Sequence, residues 1–146
     1  MRTDLTFTII KPDAIQKGRA SEILRIILRS GFKTIGLRSK KLSTTEAEEF
    51  YQIHKNKSFF EDLIKFMISG EIYVVALQKA NAVEDFRILI GDTDPKSAHI
   101  GTVRQQFGES VAKNAIHGAD SDANAKREIL FFFPELMNKY DERNSL

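Results

Sequence analysis

The chain has 146 residues, a net charge of +2 with acidic and basic side chains interspersed, and no cysteine. That length fits one domain over 1–146, and the charge gives no argument for nucleic-acid or membrane binding. Disulfide, cysteine–zinc and thiol chemistry are excluded. The apolar run in MRTDLTFTIIKPD is too short for a secretory h-region or a membrane span, and a proline interrupts it. A cytoplasmic protein is expected.

Taken in order, Thr6–Ile10 reads as a short buried strand stopped by Lys11-Pro12-Asp13. In GRASEILRIILRSGF, Ala20, Ile23, Leu24, Ile27 and Leu28 recur at helical spacing, and Gly31 is the stop. Phe32–Lys41 is read as a strand. Ser43 with Glu46 is a capping-box pattern opening a helix on which Ala47, Phe50, Tyr51 and His54 share a face. Ser58 with Glu61 repeats the pattern before a stripe of Phe59, Phe60, Leu63, Phe66 and Met67, ended by Gly70. Ile72–Leu77 is β-rich and reads as a central strand.

Val83, Phe86 and Ile90 mark a further helix, stopped by Gly91, and 91–101 forms a long loop. Thr102 with Gln105 gives a third capping box, for a short helix ending near Gly108. Asp120 or Ser121 caps a final helix running to about Phe131, followed by a short fourth strand and a polar tail in FFFPELMNKYDERNSL. The mixture implies an α+β sandwich, four strands with helices over one face.

The common phosphate cradles are absent: there is no GxxxxGK[ST] and no GxGxxG, nor HExxH or GxSxG. His117 stands in a turn-prone segment, NAIHGADSD, with no second histidine beside it. An ordinary imidazole, with a pKa of about 6.5, is a nucleophile at cell pH, provided its tautomer is fixed by a partner on the other nitrogen. Asp120, Asp122 and Glu128 follow, and Glu128 lies about two turns into the next helix. Gly118 permits close backbone approach or an unusual φ. On spacing alone, a surface-loop histidine is the commoner outcome. Lys11, Arg87 and Arg104 each have a solvated surface charge as the simpler reading. Arg104 at a helix start gains nothing from the dipole, which points weakly to an anionic partner. Thr93 could serve a phosphate or its own turn. Phe59 could be core or a stacking platform. His54 reads as a packed histidine and His99 as solvated.

IIKPDA at 9–14, FYQIHKNKSFF at 50–60, FMISG at 66–70, GDTDP at 91–95, GTVRQQFG at 101–108 and NAIHGADSD at 114–122 occur in that order. From about Thr6 to Phe133 the chain closely resembles the nucleoside diphosphate kinase family. The resemblance implies a ferredoxin-like αβ sandwich, with a four-stranded antiparallel sheet covered by helices. It implies transfer of a γ-phosphate from a nucleoside triphosphate, typically ATP, to a nucleoside diphosphate through a phosphohistidine at His117. Mg²⁺ is implied as the nucleotide's companion, with Asp120 placing its waters.

By motif position, Arg87, Arg104 and Thr93 would hold the β- and γ-phosphates. Lys11 and Asn114 would reach the sugar hydroxyls, with Lys11 also near the transferred group. Tyr51 would donate close to the ring, and Glu128 would orient it. Phe59 would stack on the base, flanked by Leu63 and Val111. A homo-oligomer is implied, a hexamer with a tetramer as the alternative; loop 91–113 packs subunits in the family's hexamers. Two departures stand out. Ala119 replaces the family's usual Ser, and Ser58 replaces the Pro before the paired Phe.

Overall fold

A computed structural model describes residues 3–137; the polar tail lies outside them. The elements are β1 (Leu5–Ile10), α1 (Pro12–Gln16), α2 (Ala20–Arg29), β2 (Lys33–Lys40), α3 (Thr44–Phe50), a 3₁₀ turn (Gln52–His54), α4 (Phe60–Met67), β3 (Ile72–Gln78), α5 (Ala82–Ile90), α6 (Val103–Phe107), β4 (Ile116–Gly118) and α7 (Asp122–Phe132). The strands form one antiparallel sheet in the order β2-β3-β1-β4. This is the ferredoxin-like arrangement of two split βαβ units.

β1 is buried along its whole length, and period-2 alternation divides its side chains between two cores. Phe7 and Ile9, with Val74 and Ala76 of β3, pack against Ala47, Phe50, Met67, Ile129 and Phe132 from α3, α4 and α7. Ile10, with Val75 and Leu77, packs against Ile23, Ile27, Phe86 and Ile90 from α2 and α5. Helices therefore cover both faces, where one face was expected. A strand buried on both sides requires it.

The fourth strand also differs from expectation. Residues 131–137, the described part of the run after 130, do not form it, because α7 carries the chain through Phe132 and buries that ring beside Phe7. The fourth strand is instead the three residues Ile116–Gly118, paired to the free edge of β1 with Ile9 opposite His117. So short a segment shows no readable alternation; the waiting β1 edge makes it a strand. Gly118 is required by close approach. A Cβ there would lie 2.8 Å from Ile90 and 3.1 Å from Phe86 of α5.

Capping followed sequence in part. Ser43 and Glu46 form the full box. Ser121, not Asp120, caps α7 by accepting the Asn124 N–H. Thr102 caps α6, but the Gln105 side chain accepts from Gly101 N–H, one residue upstream of a true box. Ser58 caps nothing. α4 begins after Phe59, which occupies the cap position without a side-chain bond. α1 was not anticipated; Pro12 at its first position starts it without the donor a strand would need.

Candidate active site

The sheet's β1–β4 edge and the ends of α3, α4, α5 and α7 enclose a cavity of about 820 Å³. Every residue picked out from the motifs lines it: Lys11, Tyr51, Phe59, Leu63, Arg87, Thr93, Arg104, Val111, Asn114, His117, Asp120 and Glu128.

His117 is held from several directions. Its backbone is fixed by pairing with Ile9, and its carbonyl accepts the Thr8 hydroxyl at 2.6 Å. Its ring lies edge-on to Phe7, Phe50 and Tyr51, at 6.2, 5.6 and 6.4 Å between centroids. Nε2 is hydrogen-bonded to Glu128 Oε1. Glu128 is itself 3% exposed, on the buried face of α7, with the Arg127 guanidinium 3.9 Å from its other oxygen. A carboxylate accepts, so Nε2 carries the proton and Nδ1 keeps its lone pair. The side chain remains 20% exposed, which leaves the ring accessible from the cavity. The loop setting expected for His117 is thus replaced by a strand.

The cations converge, with Asp13 near Lys11, Asp92 near Arg104 and Asp120 near Arg87 offsetting their charge in part. Arg104, in the first turn of α6, donates to Gly91 O at 3.0 Å and to Ile116 O at 2.9 Å, tying the end of α5 to β4. Its Nε is buried without a partner. Burial first, then the nearby Arg87 charge, lower its pKa to about 10, against the pull of Asp92. Lys11 is buried at the end of β1, and burial followed by the Arg104 charge lowers its pKa to about 8. Crowded cations with depressed pKa values are a mark of a site arranged for an anion. Lys11 Nζ donates to Asn114 Oδ1 at 2.8 Å, and Asn114 Nδ2 donates to Thr93 O at 3.0 Å. Asn114 thereby links β1 to the loop after α5.

Tyr51 is buried with its hydroxyl unpartnered, and its pKa is raised by burial and by Glu128. Phe59 resolves an open choice. It is 48% exposed, not core, and leans on the His54 ring at 5.6 Å. Leu63 and the 56% exposed Val111 complete an apolar mouth. Asp120 accepts from the Asn124 amide at 2.5 Å, and that bond, with Arg87, holds its carboxyl below the usual range.

His54 and Arg127 are among the cavity residues that the motifs did not pick out. His54 had a signal, since it lies one turn beyond Tyr51 on the same face. Its pKa is lowered by burial and by Lys57. Arg127 had none, because neighbours i and i+1 on a helix do not share a face. Among the described residues no group of three or more His, Cys, Asp or Glu side chains could hold a metal ion. No helix among them is long and apolar enough to cross a membrane.

Residues 4–137 match the family model for nucleoside diphosphate kinase. The nucleoside diphosphate kinase of Salinibacter ruber is 45% identical over 92% of this chain and 95% of its own length. That of Bordetella pertussis is 43% identical over 93% and 96%. Among solved structures, Aquifex aeolicus nucleoside diphosphate kinase superposes with a TM-score of 0.88 at 37% identity, over 89% of this chain and 94% of that one. The Halobacterium salinarum enzyme in complex with CDP gives 0.87 at 33%, over 90% and 88%. By sequence and by fold alike, this chain belongs to the nucleoside diphosphate kinase family, a family of phosphotransferases.

Proposed function

We propose that the chain moves the γ-phosphate of a nucleoside triphosphate, typically ATP, onto His117 and from there onto a nucleoside diphosphate. The observation that carries this reading is the His117 ring itself: Nε2 is bound to Glu128, and Nδ1 is left in a cavity where Lys11, Arg87 and Arg104 converge. In the first step the Nδ1 lone pair attacks the γ-phosphorus. The bond from that phosphorus to the β–γ bridging oxygen breaks, and the diphosphate leaves with the electron pair. Nε2 keeps its proton, and Glu128 stabilises the positive charge that develops on the ring. In the second step a terminal oxygen of the acceptor diphosphate attacks the same phosphorus and the P–N bond breaks. Covalent storage divides one transfer between two bulky nucleotides into two at one site.

Arg87, Arg104 and Thr93 would hold the β- and γ-phosphates, where fixed donors stabilise charge spread over the transferring group. Lys11 and Asn114 would meet the sugar hydroxyls, and the Tyr51 hydroxyl would find its partner near the phosphorylated ring. Phe59, between Leu63 and Val111, would stack on the base, and stacking without base-edge bonds accepts purines and pyrimidines alike. Mg²⁺ would neutralise phosphate charge when bound. Asp120, a carboxylate lining the cavity, would reach it through water. A cytoplasmic hexamer belongs to the same proposal. Ile100, 93% exposed, lies on the segment that packs subunits in such hexamers, and sedimentation of the intact chain would separate a hexamer from a tetramer.

Initial rates at varied ATP and several fixed GDP concentrations test the mechanism. Parallel double-reciprocal lines are expected. Intersecting lines would mean a ternary complex and no phosphohistidine carrier.

A further inference from the structure

Ala115 is buried and has φ +76°, a left-handed conformation that an alanine enters only at a steric cost. It follows Asn114 and precedes β4. Two bonds from the KPD segment clamp it: Lys11 N–H donates to Ala115 O at 2.9 Å, and Ala115 N–H donates to Asp13 Oδ2 at 3.1 Å, across 102 residues of sequence. Asp13 lies behind the cavity wall and does not line it. Its carboxylate is buried, with Oδ1 lacking a hydrogen-bond partner. Burial pushes its pKa up, against the Lys11 charge and the amides of Asp13, Ala115 and Ala14. A buried, half-satisfied carboxyl is costly to the fold, and the bond it makes across the fold goes to the strained residue. His117 is secured separately, through Ile9, Thr8 and Glu128.

We propose that Asp13 is a positioning residue for the sugar end of the site: by accepting the Ala115 N–H it keeps Ala115 left-handed, and so sets where the Lys11–Asn114 pair meets the nucleotide. This rests on the reading that Lys11 and Asn114 contact the sugar hydroxyls. Losing the Asp13 bond lets residue 115 relax and shifts Asn114, while the nucleophile stays in place. Sugar recognition and phosphate transfer are thereby separable.

The test compares kcat/KM for ATP with that for 2′,3′-dideoxy-ATP, with GDP as acceptor, in the full-length protein. Wild type should favour ATP. Asp13→Ala should shrink that preference by about tenfold, through loss on ATP and little on the dideoxy donor. Adding Ala115→Gly should restore about threefold, since glycine takes a positive φ without strain. Asp13→Asn, which keeps the acceptor oxygen and drops the charge, should retain the preference; it carries the test alone if Asp13→Ala does not fold. The proposal is overturned by an unchanged preference in Asp13→Ala, by no recovery with glycine, by a loss in Asp13→Asn, or by an active wild type that does not discriminate. A wild-type protein that transfers no phosphate from either donor contradicts the proposed function itself.

Discussion

At the mouth of the cavity, Phe59 is half-exposed against His54, with Leu63 and Val111 beside it and no charge-assisted bond holding the ring. At the inner end, His117, Glu128, Arg104, Lys11 and Asn114 are tied to one another or to backbone carbonyls. The mouth offers area without direction, and the inner end offers direction without spare area. A site that stacks any base and performs one reaction, as proposed above, would need that division. Stacking discriminates weakly between bases, whereas transition-state stabilisation demands donors that do not reorganise.

Substitutions at the two ends should therefore split kinetically. The largest effect short of His117 is expected at Arg104, where Arg104→Ala should lower kcat by about 10²–10³-fold. Arg104→Lys should recover little, because an ammonium cannot span both Gly91 O and Ile116 O. At the mouth, Phe59→Ala should raise KM by the equivalent of about 1–3 kcal/mol, similarly for purine and pyrimidine nucleotides, with kcat little changed. Equal losses in kcat at both positions, measured by steady-state kinetics, would erase the distinction.

Lys11 gives a subtler contrast through pH. Its pKa of about 8 means the free protein loses this ammonium as pH rises through about 8. kcat/KM should fall there, and Lys11→Arg should move the fall to higher pH. The sign for stability is opposite. Between about 8 and 10.5 the unfolded chain holds a proton that folded Lys11 has released, so this residue makes stability rise with pH in that window. Denaturant titrations at pH 8 and 9.5 on wild type and Lys11→Met would show it. The smallest effect is expected from Ala119→Ser. Ala119 is buried two residues beyond His117, and a hydroxyl there should change kcat by no more than about fivefold either way, well below the typical cost of losing a catalytic donor.

The two ends also differed in how far sequence alone could describe them. The helical stripe around Ile23 and Ile27, the Ser43 box and the strand at 72–77 are local patterns, and they were legible because local periodicity produced them. His117 was not legible as a strand residue. Three residues between an asparagine and an acidic turn carry no period, and only the open edge of β1 makes them pair. Phe59 was undecidable because a helix-start phenylalanine looks the same whether its ring points into the core or over a cavity. The roles of Lys11, Arg87, Arg104 and Asn114 came from motif resemblance, since isolated charges have no spacing to read. Asp13 was missed as a functional residue because its partner stands 102 positions away and is marked only by a positive φ.

The most direct measurement exposes the protein to γ-labelled ATP with Mg²⁺ and no acceptor, beside a His117→Ala control. Label on the chain that is acid-labile and base-stable, passes to added GDP and is absent from the control is the expected result. A folded, nucleotide-binding protein that takes no label, or a His117→Ala protein that takes as much, would contradict the assignment of His117 as the phosphate carrier.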